Sequence, residues 1–413
     1  MVRLRAQLPV VLAVLLLCGC AEPSADAAAL HGTTDARRPV VIAILDTGTN
    51  PYLATFQSDE DVSAFVPAQF EIFPLSRHGT PRERAEADDA QWQAAQLRTL
   101  YYFEGTRIFS ISFAQDGPPV GRDGSRHGAV TTYLAAREAP GAVIVSVQAV
   151  PAACLPRDLS CFVNTSVAEG MEWIADQPWI DIVSISFNVP ANPPVVPAAH
   201  AELARFIAAS ERAAASGKTI LNSAGNYVMT PATDVFAGAP WIVTVGGAES
   251  RSQGEALVAA KGVDVVANFT DLAPAPLSED LEYRSGTSFA TPIVAGTLAH
   301  ALHLVREAEP ERVVTPQELR DALNASATYF DAASWRPTWS DQDPLAPLFE
   351  ASLPVLVQPQ MGWGYVDGGL APEVARRVLE NDLAPPPEKA QAMLFQAQWQ
   401  KAREEYWKTW PRR

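Results

Sequence analysis

The chain has 413 residues, 48% hydrophobic and 19% charged, with a formal net charge of −16. That length and apolar content support one large domain or two small ones around a sizeable core. The acidic balance argues against a nucleic-acid partner and against electrostatic docking to anionic lipid.

Residues 1–20 read as an export signal, with Arg3 and Arg5 at the start and an apolar run from Leu8 to Leu17. The run falls short of the roughly 20 residues a bilayer span needs. Leu17-Cys18-Gly19-Cys20 resembles a bacterial lipobox. Residues 1–19 would then be removed and Cys20 would carry lipid, holding the protein to the membrane on the periplasmic side or the cell surface. The alternative is an ordinary cleaved signal with incidental cysteines. Cys154 and Cys161 remain. In an exported chain their closeness predicts a disulfide, against the alternative of two free buried thiols. Residues 20–38 are small and polar and read as a tether.

Val40 to Leu45 is a continuous β-branched and apolar run, the pattern of a strand buried on both faces, and it ends at Asp46-Thr47-Gly48. Residues 53–122 are irregular and read as an insertion. Within it Pro81 to Leu100 predicts an exposed helix, and Tyr101 to Phe103 and Ile108 to Phe113 predict strands. His127-Gly128-Ala129 opens an apolar helix, followed by Ala139-Pro140-Gly141 and a strand at Val143 to Val147. A helix over Phe162 to Asp176, a strand over Ile180 to Ser186, a helix over Ala199 to Ala215 and a strand over Lys218 to Ser223 come next. That strand leads into Ala224-Gly225-Asn226. Trp241 to Val245 and Val263 to Val266 predict further strands, and Thr287 to Ala308 and Pro316 to Ala325 helices. After Pro385-Pro386-Pro387 the tail predicts a helix, with Phe395, Trp399, Ala402, Tyr406 and Trp410 as an apolar stripe. The stripe predicts packing on the body of the protein, against the alternatives of a partner surface or an interfacial membrane helix.

The most specific stretch is Ser285-Gly286-Thr287-Ser288-Phe289-Ala290-Thr291-Pro292. Thr287 is a candidate cap, with Ser288 in the first helical turn, where free N–H groups and the macrodipole favour developing negative charge. The string resembles the nucleophile motif of the subtilisin-like serine peptidases. Asp46-Thr47-Gly48 resembles that family's acid motif, Ala224-Gly225-Asn226 its oxyanion segment, and Gly362-Trp363-Gly364-Tyr365-Val366-Asp367 the motif that closes many of its domains.

The resemblance implies a doubly wound α/β fold of three layers, a mostly parallel sheet flanked by helices. It implies a peptidase domain over about 39–385 and leaves 386–413 as a helical tail. Asp46, His127 and Ser288 would form the triad and Asn226 would hold the oxyanion. Ser186, Phe187, Asn188, Gly225 and Gly238 would line the substrate, with a peptide added as an extended strand. Two histidines compete. His78-Gly79-Thr80 matches the local motif better, but its charged sequel Pro81-Arg82-Glu83-Arg84 is ill suited to packing under a sheet. His127 has the helix and strand the family shows after its base.

Two departures stand out: Ala129 replaces Thr and Asn188 replaces Gly. Secreted relatives carry a folding prodomain for which residues 21–38 are too short, and the loop holding a tight calcium site is missing after Ala139. No cofactor is required, no metal ligand is assigned, and structural calcium and oligomeric state stay open. Beside an endopeptidase, the alternatives are a non-catalytic scaffold on the same fold and a specialised processing peptidase or transpeptidase.

Overall fold

The computed structural model describes residues 38–114, 127–151, 166–187, 197–226, 239–249, 255–258, 263–329 and 361–409. The signal and tether, Cys20, Cys154, Cys161, Asn188 and Gly238 lie outside them.

The buried run forms β1 (Val41–Asp46). Its alternate side chains feed two separate cores. Ile42 and Ile44 join one, and Val41, Ala43 and Leu45 join the other. A strand that is apolar on both faces needs a cover on each, and the helices supply it. Next in the chain come β2 (Glu71–Phe73), α1 (Pro81–Ala87), α2 (Asp89–Ala94), β3 (Tyr101–Phe103) and β4 (Ile108–Ser112). Then follow α3 (His127–Glu138), β5 (Val143–Gln148), α4 (Val167–Asp176), β6 (Ile182–Ile185), α5 (Pro197–Ala215) and β7 (Thr219–Ser223). The remaining strands are β8 (Ile242–Glu249), β9 (Glu255–Val258), β10 (Val265–Asn268), β11 (Thr270–Pro274) and β12 (Leu281–Ser285). They are followed by α6 (Thr287–Ala308), α7 (Pro316–Ser326), α8 (Ala371–Glu380) and α9 (Ala390–Thr409).

Among the described residues the main sheet has ten strands, nine of them in the order β10-β8-β7-β6-β1-β5-β4-β3-β2. From β10 through β4 every neighbour is parallel. β3 is antiparallel to β4, and β9 lies antiparallel on β8. Val130 and Leu134 of α3 and Ile293, Val294 and Leu298 of α6 fill the core on one face. Met171 and Ile174 of α4 and Phe206 and Ile207 of α5 fill the other. The result is the expected three-layer, mostly parallel α/β fold. By composition α6 could cross a bilayer, but it is largely buried, as the core helix of one layer.

Several expectations need correction. Pro81 to Leu100 is not one exposed helix. It forms two short helices that meet at Asp88, which is buried. The Asp88 carboxylate accepts from the Tyr52 hydroxyl at 2.9 Å and from the Ser76 N–H at 2.8 Å, and Trp92 Nε1 donates to the same tyrosine. Trp92 and Ala85 are fully buried, so this charged segment does pack against the core. The insertion also extends the sheet, since β4 pairs in parallel with β5. The two-stranded ribbon of β11 and β12 was not predicted.

The tail helix α9 docks through Ala392, Gln396, Arg403 and Trp407, which are buried. Of the predicted stripe, only Trp399 has a described side chain, and it is half-buried. The closing motif pairs with β10: Val266 N–H donates to Gly364 O at 2.9 Å and Val366 N–H to Val266 O at 2.8 Å. Gly362 (φ +58°) permits this, because a Cβ there would come within 2.2 Å of Asp264 O.

Candidate active site

Three adjacent parallel strands, β1, β6 and β7, end at one place, and α3 and α6 begin there. Open α/β sheets put function at such carboxyl ends. The Asp46 side chain is 3% exposed at the end of β1. Its Oδ1 accepts from the Thr47 N–H at 2.8 Å, and Thr131 Oγ1 stands 3.2 Å from Oδ2. His127 Nδ1 lies 2.8 Å from Asp46 Oδ1 and 3.0 Å from Oδ2. A proton on Nδ1 then points at the carboxylate, and Nε2 is the nitrogen left with a lone pair.

Gly128 is what lets α3 start against β1. A Cβ there would come within 2.2 Å of Gly48 O, and the Gly128 N–H donates to Thr47 Oγ1 at 2.9 Å. Asp46-Thr47-Gly48 and His127-Gly128 are therefore two halves of one backbone contact. His78 is exposed in the turn before α1, whose own start is fixed by a capping box between Thr80 and Glu83.

Ser288 lies in the first turn of α6. Thr287 is not the cap, as the sequence suggested; Gly286 is, at φ 154° and ψ 154°, a conformation open to glycine and costly for other residues. Thr287 instead ties the helix start to the end of β7. Its N–H and Oγ1 donate to Asn226 Oδ1 at 2.8 and 3.0 Å, and its Oγ1 accepts from the Gly225 N–H at 3.1 Å. With Oδ1 so engaged, the amide of exposed Asn226 has a fixed orientation and Nδ2 is its donor end.

Pro292 shapes the other side. A residue at that position would donate its N–H to Ser288 O, four residues back, and proline cannot. Ser186 Oγ donates to that carbonyl at 2.8 Å. In return Ser288 Oγ donates to Ser186 O at 2.9 Å. The reciprocal pair holds the end of β6 beside the start of α6. Phe289 places its ring 5.5 Å from the His127 ring, so the imidazole also lies against this helix start. Phe187 is half-buried and packs against Phe206 of α5 at 5.9 Å.

The structure thus gathers Asp46, His127, Ser288, Ser186, Gly225 and Asn226. Sequence reasoning missed Thr131, Gly128 and the part played by Pro292. The His-Gly pair and the Ser-to-Pro spacing were the available signals. Among the described residues no group of three or more His, Cys, Asp or Glu side chains is placed to hold a metal ion.

The family model described as "Subtilase family" matches residues 37–364. No curated protein matches the sequence significantly. Among solved structures, a lanthipeptide protease aligns at 15% identity and TM-score 0.51, covering 81% of this chain and 87% of that one. The prenylagaramide maturation protease PagA aligns at 17% identity and TM-score 0.44, covering 81% and 94%. A mutant of the protease domain of PatA aligns at 16% identity and TM-score 0.47, covering 84% and 97%. At such identities the first likeness concerns the fold alone, and the other two, below a TM-score of 0.5, add nothing to it.

Proposed function

Since the chain belongs to the subtilase family of serine-type peptidases, we propose that it is an endopeptidase acting through Asp46, His127 and Ser288. The observation that carries this is the Nδ1 contact of His127 with buried Asp46, at 2.8 Å, beside the helix start that bears Ser288. Ser288 Oγ leaves Ser186 O and attacks the peptide carbonyl, while His127 Nε2 takes its proton. Asp46 holds the Nδ1 tautomer and stabilises the imidazolium. Asn226 Nδ2 and the Ser288 N–H donate to the tetrahedral oxyanion, each such donor being worth about 3–4 kcal/mol of barrier. His127 then gives the proton to the leaving amine, and water releases the acyl group by the reverse route.

An extended substrate would lie along the end of β6, beside Ser186 and Phe187 and near Gly225 after β7; Asn188 and Gly238, outside the described residues, are assigned to it on the sequence pattern alone. The chemistry draws on no cofactor. Digestion of a peptide mixture, with product mapping by mass spectrometry, tests this. Wild type should give internal cleavages and Ser288→Ala none; cleavage by Ser288→Ala contradicts it. Repeating the digest with an amine acceptor distinguishes hydrolysis from transpeptidation.

We further propose export and lipid attachment at Cys20, supported by Leu17-Cys18-Gly19-Cys20. Labelled fatty acid should enter the wild type and not Cys20→Ala, and an unlabelled wild type rules the anchor out.

A further inference from the structure

The two groups that must meet for proton transfer arrive on different elements: His127 on α3, and Ser288 behind the ribbon of β11 and β12. We propose that Arg137 and Asp271 are a positioning pair that fixes the His127 helix to the ribbon delivering Ser288, an inference that rests on the triad proposed above.

Arg137 lies in the last turn of α3, and its guanidinium reaches across to β11. Nη1 and Nη2 donate to the two oxygens of Asp271, each at 2.9 Å. This parallel two-bond arrangement fixes angle as well as distance. The Asp271 side chain is 14% exposed and that of Arg137 is 32%. Burial alone would raise the Asp271 carboxyl, but the hydrogen bonds and charge of Arg137 hold it below the usual range.

The other edge of the guanidinium is held from behind. Arg137 Nε donates to Glu138 Oε1 at 2.7 Å. Glu138 is wedged between α6 and the turn before α8. A Cβ on Gly296 would come within 2.7 Å of Glu138 Cβ, and one on Gly368 within 1.8 Å of its Oε2. Arg137 is thus clamped in a set direction before it meets Asp271.

Asp271 is one residue from the base of the ribbon. That base closes through the Gly286 N–H donating to Phe269 O at 2.9 Å and through Thr270 and Ser285 hydroxyls 2.8 Å apart. Ser288 follows two residues after Gly286. Much of the ribbon is open to solvent: Tyr283 is 74% exposed and Leu281 51%. Ala273 is its buried apolar anchor, and Glu279 Oε1 holds the tip by accepting from the Ala54 N–H. Arg137 is a charged link from the ribbon to the helix of the base, beside the direct packing of α6 on that helix, where a Cβ on Gly296 would come within 2.5 Å of Ala135 O. α3 is a stiff rod about 15 Å long between His127 and Arg137. A change of tilt at its far end is felt at the imidazole, and a 1 Å misplacement of reacting groups costs on the order of 100-fold in rate.

The test compares Arg137→Met, Asp271→Asn, the double variant and Arg137→Lys. It reads kcat and KM on a peptide, the rate at which a serine-directed phosphonate modifies Ser288, and the melting temperature. Asp271→Asn keeps the shape of the side chain and serves if Arg137→Met fails to fold. Each single variant should lower kcat and the phosphonate rate about 10- to 100-fold, with KM within about twofold. The double variant should be no slower than the worse single one, as expected for a shared contact. Arg137→Lys should recover part of the rate, since one ammonium cannot match two parallel bonds. Arg205→Ala, which breaks an exposed pair with Glu172 and Glu202, should behave as wild type.

Unchanged kcat with a lowered melting temperature, or strictly additive losses, overturns the inference. The triad proposal fails separately, and recognisably, if the wild type is not modified at Ser288.

Discussion

Ser288 depends on its carbonyl as well as its hydroxyl. Pro292 withholds the N–H that would occupy Ser288 O, Ser186 Oγ takes it, and the end of β6 is drawn to the helix that carries the hydroxyl. The Ser-to-Pro spacing was visible in the sequence, but its use was not, because the partner lies 102 residues away. Thr287 shows the opposite failure. Its type suits a cap, yet the glycine before it adopts the special backbone and the threonine ties down Asn226 instead. For the histidines, the charged segment after His78 does not by itself set it apart, since Ala85 and Trp92 carry that segment into the core. What separates the two is Gly128, which lets one helix start against Gly48 and brings His127 to Asp46. His127→Ala should lower kcat by about 10⁴-fold or more with little change in melting temperature, and His78→Ala should keep most of it. Peptide hydrolysis by both purified variants, with melts alongside, checks this; loss in His78→Ala and not in His127→Ala reverses the assignment.

Among the elements, α9 packs on the body of the protein, and among its described side chains much of the docking is polar. Arg403 is fully buried, reaching Asp264 Oδ2 at 3.1 Å and Ile242 O at 2.8 Å. Arg320 Nη2 meets the same carboxylate at 2.8 Å, and Gln396 Nε2 donates to Val263 O at 2.9 Å. Burial alone would raise the Asp264 carboxyl; the charges of Arg320 and Arg403 and the Thr244 N–H overcome this and hold it below the usual range. No local pattern announces a contact between positions 139 residues apart. Asp264→Asn leaves two guanidinium groups facing each other without a counter-ion and should cost about 3–5 kcal/mol. Arg403→Met leaves one matched pair and should cost less. Urea melts of the two variants give the order; equal stability of Asp264→Asn and wild type would mean that this cluster does not clamp the tail. The ribbon of β11 and β12 escaped notice for another reason: it is short, mixed in polarity and partly exposed, so neither hydrophobic period marks it.

Over the whole molecule, the buried runs at Val41, Val143, Ile182, Thr219 and Ile242 made the parallel sheet and its two covering layers legible, because a strand apolar on both faces admits few other placements. The extension through β4, β3 and β2 was not legible, since Tyr101 to Phe103 gives no sign of which neighbour it pairs with. Two buried lysines give the molecule a pH signature. Burial pushes Lys218 and Lys389 from 10.5 down to about 8. Lys389 Nζ donates to the carbonyls of Asn324 and Ala325 at the end of α7. Between pH 8 and 10.5 the unfolded chain holds a proton that the folded one has released, so this site adds stability as pH rises through that window. The stability of wild type minus that of Lys389→Met should therefore grow between about pH 7.5 and 10 in urea melts; a flat or falling difference refutes it. The central claim, a nucleophile at Ser288 activated by His127 and Asp46, meets its most direct test in a serine-directed phosphonate and intact-protein mass spectrometry. Wild type should take up one phosphonyl group, mapped to Ser288, and His127→Ala should stay unmodified over the same period. An unmodified wild type, or equal labelling of both proteins, would contradict the account.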